Sequence, residues 1–473
     1  MARRNMSSEI RYAERMSASD ALMWNNERDP MLRSTILSVM LLDGPPDEQR
    51  FRQAIERALV KVPRLRQHVV LDPLGAAPPR WQVDPLFDLD YHERRLRAPG
   101  AGSLRDLLDL AAPIAMQAFD KDRPLWELYR VEGLESGRSA LLLKLHHSVS
   151  DGVGMVRMTS SLVERTREGR PGRAAPEPSV LEEHGATSAF GEALRALRHR
   201  AGENAALGSR ALGALRRGAG EALRDPRGGL RRMSEFAGSL GRLLRPVSEP
   251  LSPLLRGRSL GVHFDALEVP LDALKRAAKE VGGTLNDAFV AAVLGGLRRY
   301  HEHHGIGVEE LRMTMPINLR EGEAGGRAGN QFAPARFEVP VGIADAGKRM
   351  RVIHERVAAQ RKEPALGLTE DVSAILLRLP RALAVDLFGS MLKAIDVVTS
   401  NVPGPPFPVF ASGALVERMI GFGPLSGAAL NVTLFSYDGT CQIGIASDRA
   451  AVRDPATLVR CLEEGIGEVV AVC

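Results

Sequence analysis

Cysteine and long apolar runs are what this chain has least of, and each shortage closes off a class of protein. Its three cysteines, Cys441, Cys461 and Cys473, form an odd set with no C-x-x-C spacing. That excludes a disulfide framework and a cysteine-rich zinc site, and it fits a reducing compartment. A membrane-spanning helix needs about eighteen or more uninterrupted apolar residues. The best stretch, "AILLRLPRALAVDLFGSMLKAI", is broken by Arg378, Pro380, Arg381 and Asp386. The opening "MARRNMSSEIRYAERMSASD" has arginines but no apolar core behind them, so it predicts neither a secretory signal nor an anchor. The expected location is the cytoplasm.

Acidic residues thin out in one segment. Between Arg195 and Arg258, fourteen arginines stand against five acids, a local charge of +9 in a chain of formal charge +5, so the remainder is near −4. The segment lacks interleaved aromatics and no reader motif accompanies it, which argues against nucleic acid as a partner. Arg, Ala, Gly and Pro replace strand signals there, and Gly213, Gly218 and Gly220 interrupt any long helix. A length of 473 residues points to two or three domains. The expected division is an N-terminal lobe at 1–167, a basic linker at 168–260 and a C-terminal lobe at 261–473.

Both flanks of the linker alternate strand and helix patterns. "STILSVMLL" (34–42) and "SALLLKL" (139–145) read as buried strands, and Phe51, Ile55 and Leu59 mark one face of a helix starting near Asp47. Val156, Thr159 and Val163 share a face of a helix after Gly152. In the second half "VHFDALEVP" reads as a strand, and Leu274, Ala278 and Val281 as a helix closed by Gly282 and Gly283. Thr284 and Asp287 form a capping box for a helix whose Phe289, Val293, Leu297 and Tyr300 face one way. Asp438-Gly439 between two alternating runs predicts a hairpin.

The chemistry-bearing stretch is "LLLKLHHSVSDGVGM" (141–155), an apolar strand ending in two histidines. Successive strand side chains point to opposite faces, so one of His146 and His147 faces a site and the other faces structure. A histidine there can be a satisfied polar residue, a general base or a metal ligand. Asp151 can reach back to a backbone amide or an arginine and hold the turn, and Gly152 permits a backbone path that a Cβ would block. No third ligand stands at zinc spacing. "HEHHG" (301–305) reads as a solvated helix end whose histidines suit the dipole, and no metal is expected. No G-x-S-x-G elbow supports a serine hydrolase.

Taken whole, H-H-x-x-x-D-G resembles the signature of the chloramphenicol-acetyltransferase-like superfamily, which includes the condensation domains of peptide synthetases. More narrowly, the chain resembles the bacterial wax ester synthase/diacylglycerol acyltransferase family. The resemblance extends through "SASDALMW" (17–24), "RPLWELYRVEGL" (123–134), "TLNDAFVAAV" (284–293), "MPINLR" (315–320) with "GNQF" (329–332), and "SNVPGP" (400–405). It covers nearly the whole chain except the basic linker.

The resemblance implies an α/β fold: two lobes with mixed sheets flanked by helices, joined by the Arg-rich helical linker, with an active-site tunnel between them. It implies His147 as general base and Asp151 as its motif partner, supported by His146 and Gly152. His147 would take a proton from an alcohol, the oxygen would attack an acyl-CoA thioester, and the proton would pass to the leaving thiolate. Acyl-CoA and a lipid alcohol are then substrates, and no cofactor is expected. Asn286 is a candidate donor to a substrate oxygen, while the cap alone accounts for Asp287. Trp126 reads as packing ahead of a substrate contact. "NVPGP" reads as a rigid turn, with Asn401, Pro403 and Gly404 near the acyl path. Competing readings are transfer to another lipid or polyketide alcohol, condensation on carrier-bound peptides, and a lipid-surface binding protein on the same fold. The basic linker reads either as a means of peripheral contact with the inner membrane face or lipid droplets or as a solvated tether between the lobes.

Overall fold

The computed structural model describes residues 12–72, 77–150, 155, 158–169, 247, 249–318, 332–363 and 369–472, with short helical pieces between 191 and 238. The first half runs α1 (Ala18–Asn26), β1 (Thr35–Leu42), α2 (Glu48–Lys61), β2 (Gln67–Val70), β3 (Arg80–Val83), β4 (Glu93–Arg97), α3 (Leu104–Met116), β5 (Trp126–Glu132) and β6 (Ser139–His146). After the basic segment come β7 (Val262–Pro270), α4 (Leu271–Glu280), α5 (Leu285–His303), β8 (Glu310–Asn318), β9 (Phe332–Pro340) and α6 (Ala346–Arg361). The chain closes with α7 (Thr369–Leu376), α8 (Arg381–Lys393), β10 (Val397–Pro403), β11 (Phe410–Ala411), β12 (Ala414–Phe422), β13 (Leu430–Tyr437), β14 (Thr440–Asp448) and α9 (Pro455–Val470).

Local chemistry sets most of these boundaries. The Asp47 side chain caps α2 by accepting from the Arg50 amide. Thr284 and Asp287 close the expected capping box on α5. Asp438 and Gly439 both take positive φ, at 44° and 78°, which is the twist that lets β13 and β14 pair as a tight hairpin. Most of the basic segment lies outside the described residues.

Two mixed six-stranded sheets form the body, in the orders β11-β12-β1-β6-β5-β4 and β7-β14-β13-β10-β8-β9. Space and sequence divide differently. Residues 414–422 (β12), late in the chain, run antiparallel to β1, with Leu37 opposite Phe422 and Val39 opposite Ile420. The C-terminal half therefore completes the first sheet. Phe422 in turn packs on Phe264 of β7, with ring centroids 4.3 Å apart, so one apolar cluster is shared by both halves.

In the second lobe α5 and α9 cross closely. A Cβ on Gly296 would sit 2.6 Å from Leu462 Cα, and one on Gly465 would sit 2.4 Å from the Gly296 nitrogen, so both positions need glycine. Beside this crossing Arg349 of α6, with none of its surface exposed, donates to Glu468 at 2.6 Å and to the carbonyls of Ala291 and Ile343. Arg298 and Arg299 converge on the same carboxylate.

Three local expectations differ from the structure. Helix after residue 152 ends at Thr159 among the described residues, and Val163 lies beyond it, past a turn; Val156 is outside the described residues. The Thr159 hydroxyl bonds back to the Met155 carbonyl and serines follow, a composition that competes with helix. In "HEHHG" only His303 and His304 are solvated: His301 is buried, with Nε2 2.6 Å from Ser252 Oγ and Nδ1 2.7 Å from the Leu297 carbonyl. The "NVPGP" turn begins later than expected, because β10 runs on through Pro403. Among the described residues β8 pairs only with Val397 and Val398 of β10, so Pro403 costs no ladder bond to it.

Candidate active site

β6 ends where the two sheets meet, and the last strand residue is His146, fully buried. Its ring is engaged on both sides. The Ser148 amide donates to Nδ1 at 3.1 Å and Ser148 Oγ lies 2.6 Å from it. Nε2 faces Glu27 Oε1 at 2.9 Å, off the line of an ideal hydrogen bond. The chain then turns, and the His147 amide donates to the Ser34 carbonyl at 2.8 Å while its half-buried side chain faces the opposite way.

Glu27, just beyond α1, holds this corner together. Its Oε1 accepts from the Ser34 amide, whose own residue anchors His147, and Lys121 Nζ lies 3.9 Å from Oε2. Burial pushes the carboxyl up, but His146, the Ser34 amide and Lys121 outweigh it and hold the group down at about 2, from 4.5. The folded value is the lower one. The stabilisation is therefore fully present above about 4.5, on the order of 3 kcal/mol, and is lost as pH falls toward 2. Glu27→Gln should accordingly lower the urea midpoint at neutral pH, and the gap from wild type should close on acidification below about 4.5. A gap independent of pH would contradict the charge as its source.

His147 lines a largely apolar cavity of about 230 Å³ between the two sheets. The wall follows strand and helix periods. β8 presents Thr314 and Pro316, β10 presents Val398, Ser400 and Val402, and β13 presents Asn431, Thr433 and Phe435, each set two residues apart. α1 presents Ser19, Leu22, Met23 and Asn26, one helical face, and α8 adds Phe388 and Leu392. Among the polar members, Thr433 Oγ1 donates to Asn431 Oδ1 at 2.9 Å and Asn431 Nδ2 to the Pro424 carbonyl at 2.8 Å. Asn26 differs: it is 2 % exposed and its Oδ1 is buried with no hydrogen-bond partner among the described residues.

The other residues singled out from the sequence are scattered. Trp126 is buried, donating Nε1–H to the Leu65 carbonyl at 2.8 Å and stacking on His92, so it packs rather than lining the cavity. Asn286 donates to Met315 Sδ, on the face of β8 away from Thr314 and Pro316, and is not in the wall. Asp287 caps α5 and lies 2.8 Å from His354 Nδ1. Asn401 and Pro403 alternate with the wall residues Ser400 and Val402 and are likewise outside the wall. Gly404 supports it from behind: a Cβ there would lie 2.4 Å from the Phe435 ring and 2.5 Å from the Ser436 carbonyl. Asp151 and Gly152 lie outside the described residues. No group of three metal-ligating side chains occurs among the described residues.

Sequence reasoning passed over Glu27, Asn26 and the α1 face, although the spacing of Ser19, Leu22, Met23 and Asn26 is that of a helix stripe. Ser400 and Val402 were also within reach once β10 was taken as a strand, since period two selects alternate letters of "SNVP".

Residues 16–289 match the family model described as the wax ester synthase/diacylglycerol acyltransferase catalytic domain, and residues 328–469 match the WS/DGAT C-terminal domain. A Mycobacterium tuberculosis protein, provisionally named a diacylglycerol O-acyltransferase, is 39% identical over 98% of this chain and 92% of its own length. A second such protein from that organism is 31% identical over 93% of each. Among solved structures, the wax ester synthase/diacylglycerol acyltransferase of Marinobacter aquaeolei superposes with a TM-score of 0.62 at 22% identity, covering 96% of this chain and 98% of that one. The first condensation domain of the calcium-dependent antibiotic synthetase gives 0.60 at 18% identity, covering 97% and 95%. Both superpositions establish the expected mixed α/β fold.

Proposed function

We propose, from the premise that this chain belongs to the wax ester synthase/diacylglycerol acyltransferase family and is an acyltransferase acting on lipid alcohols, that transfer takes place in the cavity beside His147, with His147 as general base. One observation carries the assignment. His146 is fully buried, with Nδ1 bonded to Ser148 and Nε2 turned toward Glu27 in the core, whereas His147 is the member of the pair that lines the cavity.

The reaction balances without a covalent enzyme intermediate. His147 accepts the hydroxyl proton as the alcohol oxygen attacks the thioester carbonyl carbon. The tetrahedral intermediate collapses with cleavage of the carbon–sulfur bond, and the proton passes from His147 to the departing thiolate of coenzyme A. Acyl-CoA is a substrate, and the reaction calls on no resident cofactor. Diacylglycerol gives triacylglycerol, and a fatty alcohol gives a wax ester. Incubating purified protein with palmitoyl-CoA and either diacylglycerol or hexadecanol, and identifying the ester by mass spectrometry, tests this directly. Failure to form either ester would move the acceptor elsewhere.

Asn26 adds a polar side chain to a largely apolar wall that also holds Thr314, Ser400, Asn431 and Thr433. Its buried, unpartnered acceptor costs about 1–3 kcal/mol in the free protein and suits a donor brought by the alcohol hydroxyl or a pantetheine amide. Asn26→Leu is therefore expected to melt at or above the wild-type temperature while losing about tenfold in kcat/KM. A lower melting temperature with unchanged kinetics would make Asn26 structural.

The substrates also bear on location. No helix among the described residues is long and apolar enough to cross a membrane. Ile375 and Leu383 expose their side chains on α7 and α8, helices that present Ser373, Phe388 and Leu392 to the cavity. That placement favours a cytoplasmic enzyme working at a membrane or lipid-droplet surface, where the basic segment would add about 1 kcal/mol for each arginine near anionic headgroups. Vesicle flotation with and without anionic lipid checks it.

A further inference from the structure

Gly421 lies inside β12, paired with Ser38 of β1, where a glycine weakens a strand and needs a reason. The backbone gives none. Gly421 is absent from the glycines with positive φ. A Cβ built on it would lie 3.6 Å from Thr433 Cγ2 and 3.7 Å from Phe435 Cδ2, ordinary contact distances. Gly444, which faces it from the second sheet, is different: a Cβ there would come within 2.2 Å of the Gly421 carbonyl oxygen, so the crossing of the sheets demands glycine at 444 and not at 421.

What Gly421 does have is a place in the cavity. It lines the same space as His147, and the two side chains its Cβ would touch, Thr433 and Phe435, are wall residues too. Any side chain at this position would grow into the cavity between them. We infer that Gly421 is a specificity-determining residue: the missing side chain is the space that a long unbranched alkyl chain occupies beside the reacting centre. The inference rests on the acyltransferase reading above and deepens it by naming what sets the size of the chain admitted. Fatty acyl and fatty alcohol chains share this chemistry, and the experiment separates them.

Gly421→Ala and Gly421→Val are compared with wild type in two arms. One varies the acyl donor, hexadecanoyl-CoA against decanoyl-CoA, with hexadecanol fixed. The other varies the acceptor, hexadecanol against decanol, with hexadecanoyl-CoA fixed. Each displaced methylene is worth roughly fourfold, so valine should shift the long-to-short ratio of kcat/KM at least about tenfold in one arm, and alanine roughly fourfold in the same direction. The arm that responds identifies which chain passes Gly421. Displacement of cis-parinaric acid by the same alcohols and fatty acids gives a readout without turnover, and it stands even where no ester forms. His147→Ala, run in parallel, reports separately on the base. Unchanged ratios in both arms and unchanged displacement by Gly421→Val, with a wild-type melting curve, would overturn the inference. Gly421→Ala decides it where the valine variant does not fold.

Discussion

His147→Ala should lose about a thousandfold in kcat/KM for ester formation while melting as the wild type does, the range expected for removing a positioned general base. The structural side of the expectation follows from the division of labour within the pair. His147 is half-buried in a turn, and its amide bond to the Ser34 carbonyl is backbone and survives the substitution. His146 sits in the core between Trp24 and Phe119, with Ser148 and Glu27 on its nitrogens. His146→Ala should therefore destabilise the fold as well as depress turnover, because it opens a cavity and leaves the buried Glu27 carboxylate with only the Ser34 amide and Lys121. Activity without loss in His147→Ala would remove the base from this account.

A large effect on stability is also expected from Glu468→Gln. Three guanidinium groups converge on this carboxylate, and that of Arg349 has no exposed surface. Burial pushes the Glu468 carboxyl up, but the bonds from Arg349 and Arg299 outweigh that and hold it below its usual range. Removing its charge leaves a buried cation unbalanced, at a cost of about 3 kcal/mol, toward the low end for breaking a buried pair because the carboxylate itself keeps some solvent. Urea unfolding at neutral pH measures it. The cavity is lined by neither α5 nor α9, so kcat/KM at low temperature should stay close to wild type.

Local signals in the sequence translated directly into structure. The Asp47 cap, the Thr284–Asp287 box, the β7 strand and the Asp438-Gly439 hairpin each depend on residues within a few positions of one another. The pairing of β12 with β1 depends on residues nearly the whole chain apart, and no periodicity in either strand names its partner. The site divides along the same line. That one histidine of the pair faces in and the other out follows from strand alternation, and His146 and His147 lie that way. Motif letters did less well as guides to the wall. In "SNVPGP" the residues in the cavity are Ser400 and Val402, one step out of phase with Asn401 and Pro403. Glu27 carried no local signal, because its partners His146 and Lys121 come from distant strand and loop positions.

Direct transfer, with no acyl-enzyme, is the central claim, and rapid mixing with radiolabelled palmitoyl-CoA tests it. With acceptor withheld, no coenzyme A should be released and no label should remain on the denatured protein. Adding hexadecanol or diacylglycerol should then release coenzyme A and form ester in equal amounts, and His147→Ala should do neither at an appreciable rate. A burst of coenzyme A without acceptor, matched by label bound to the protein, would contradict the account.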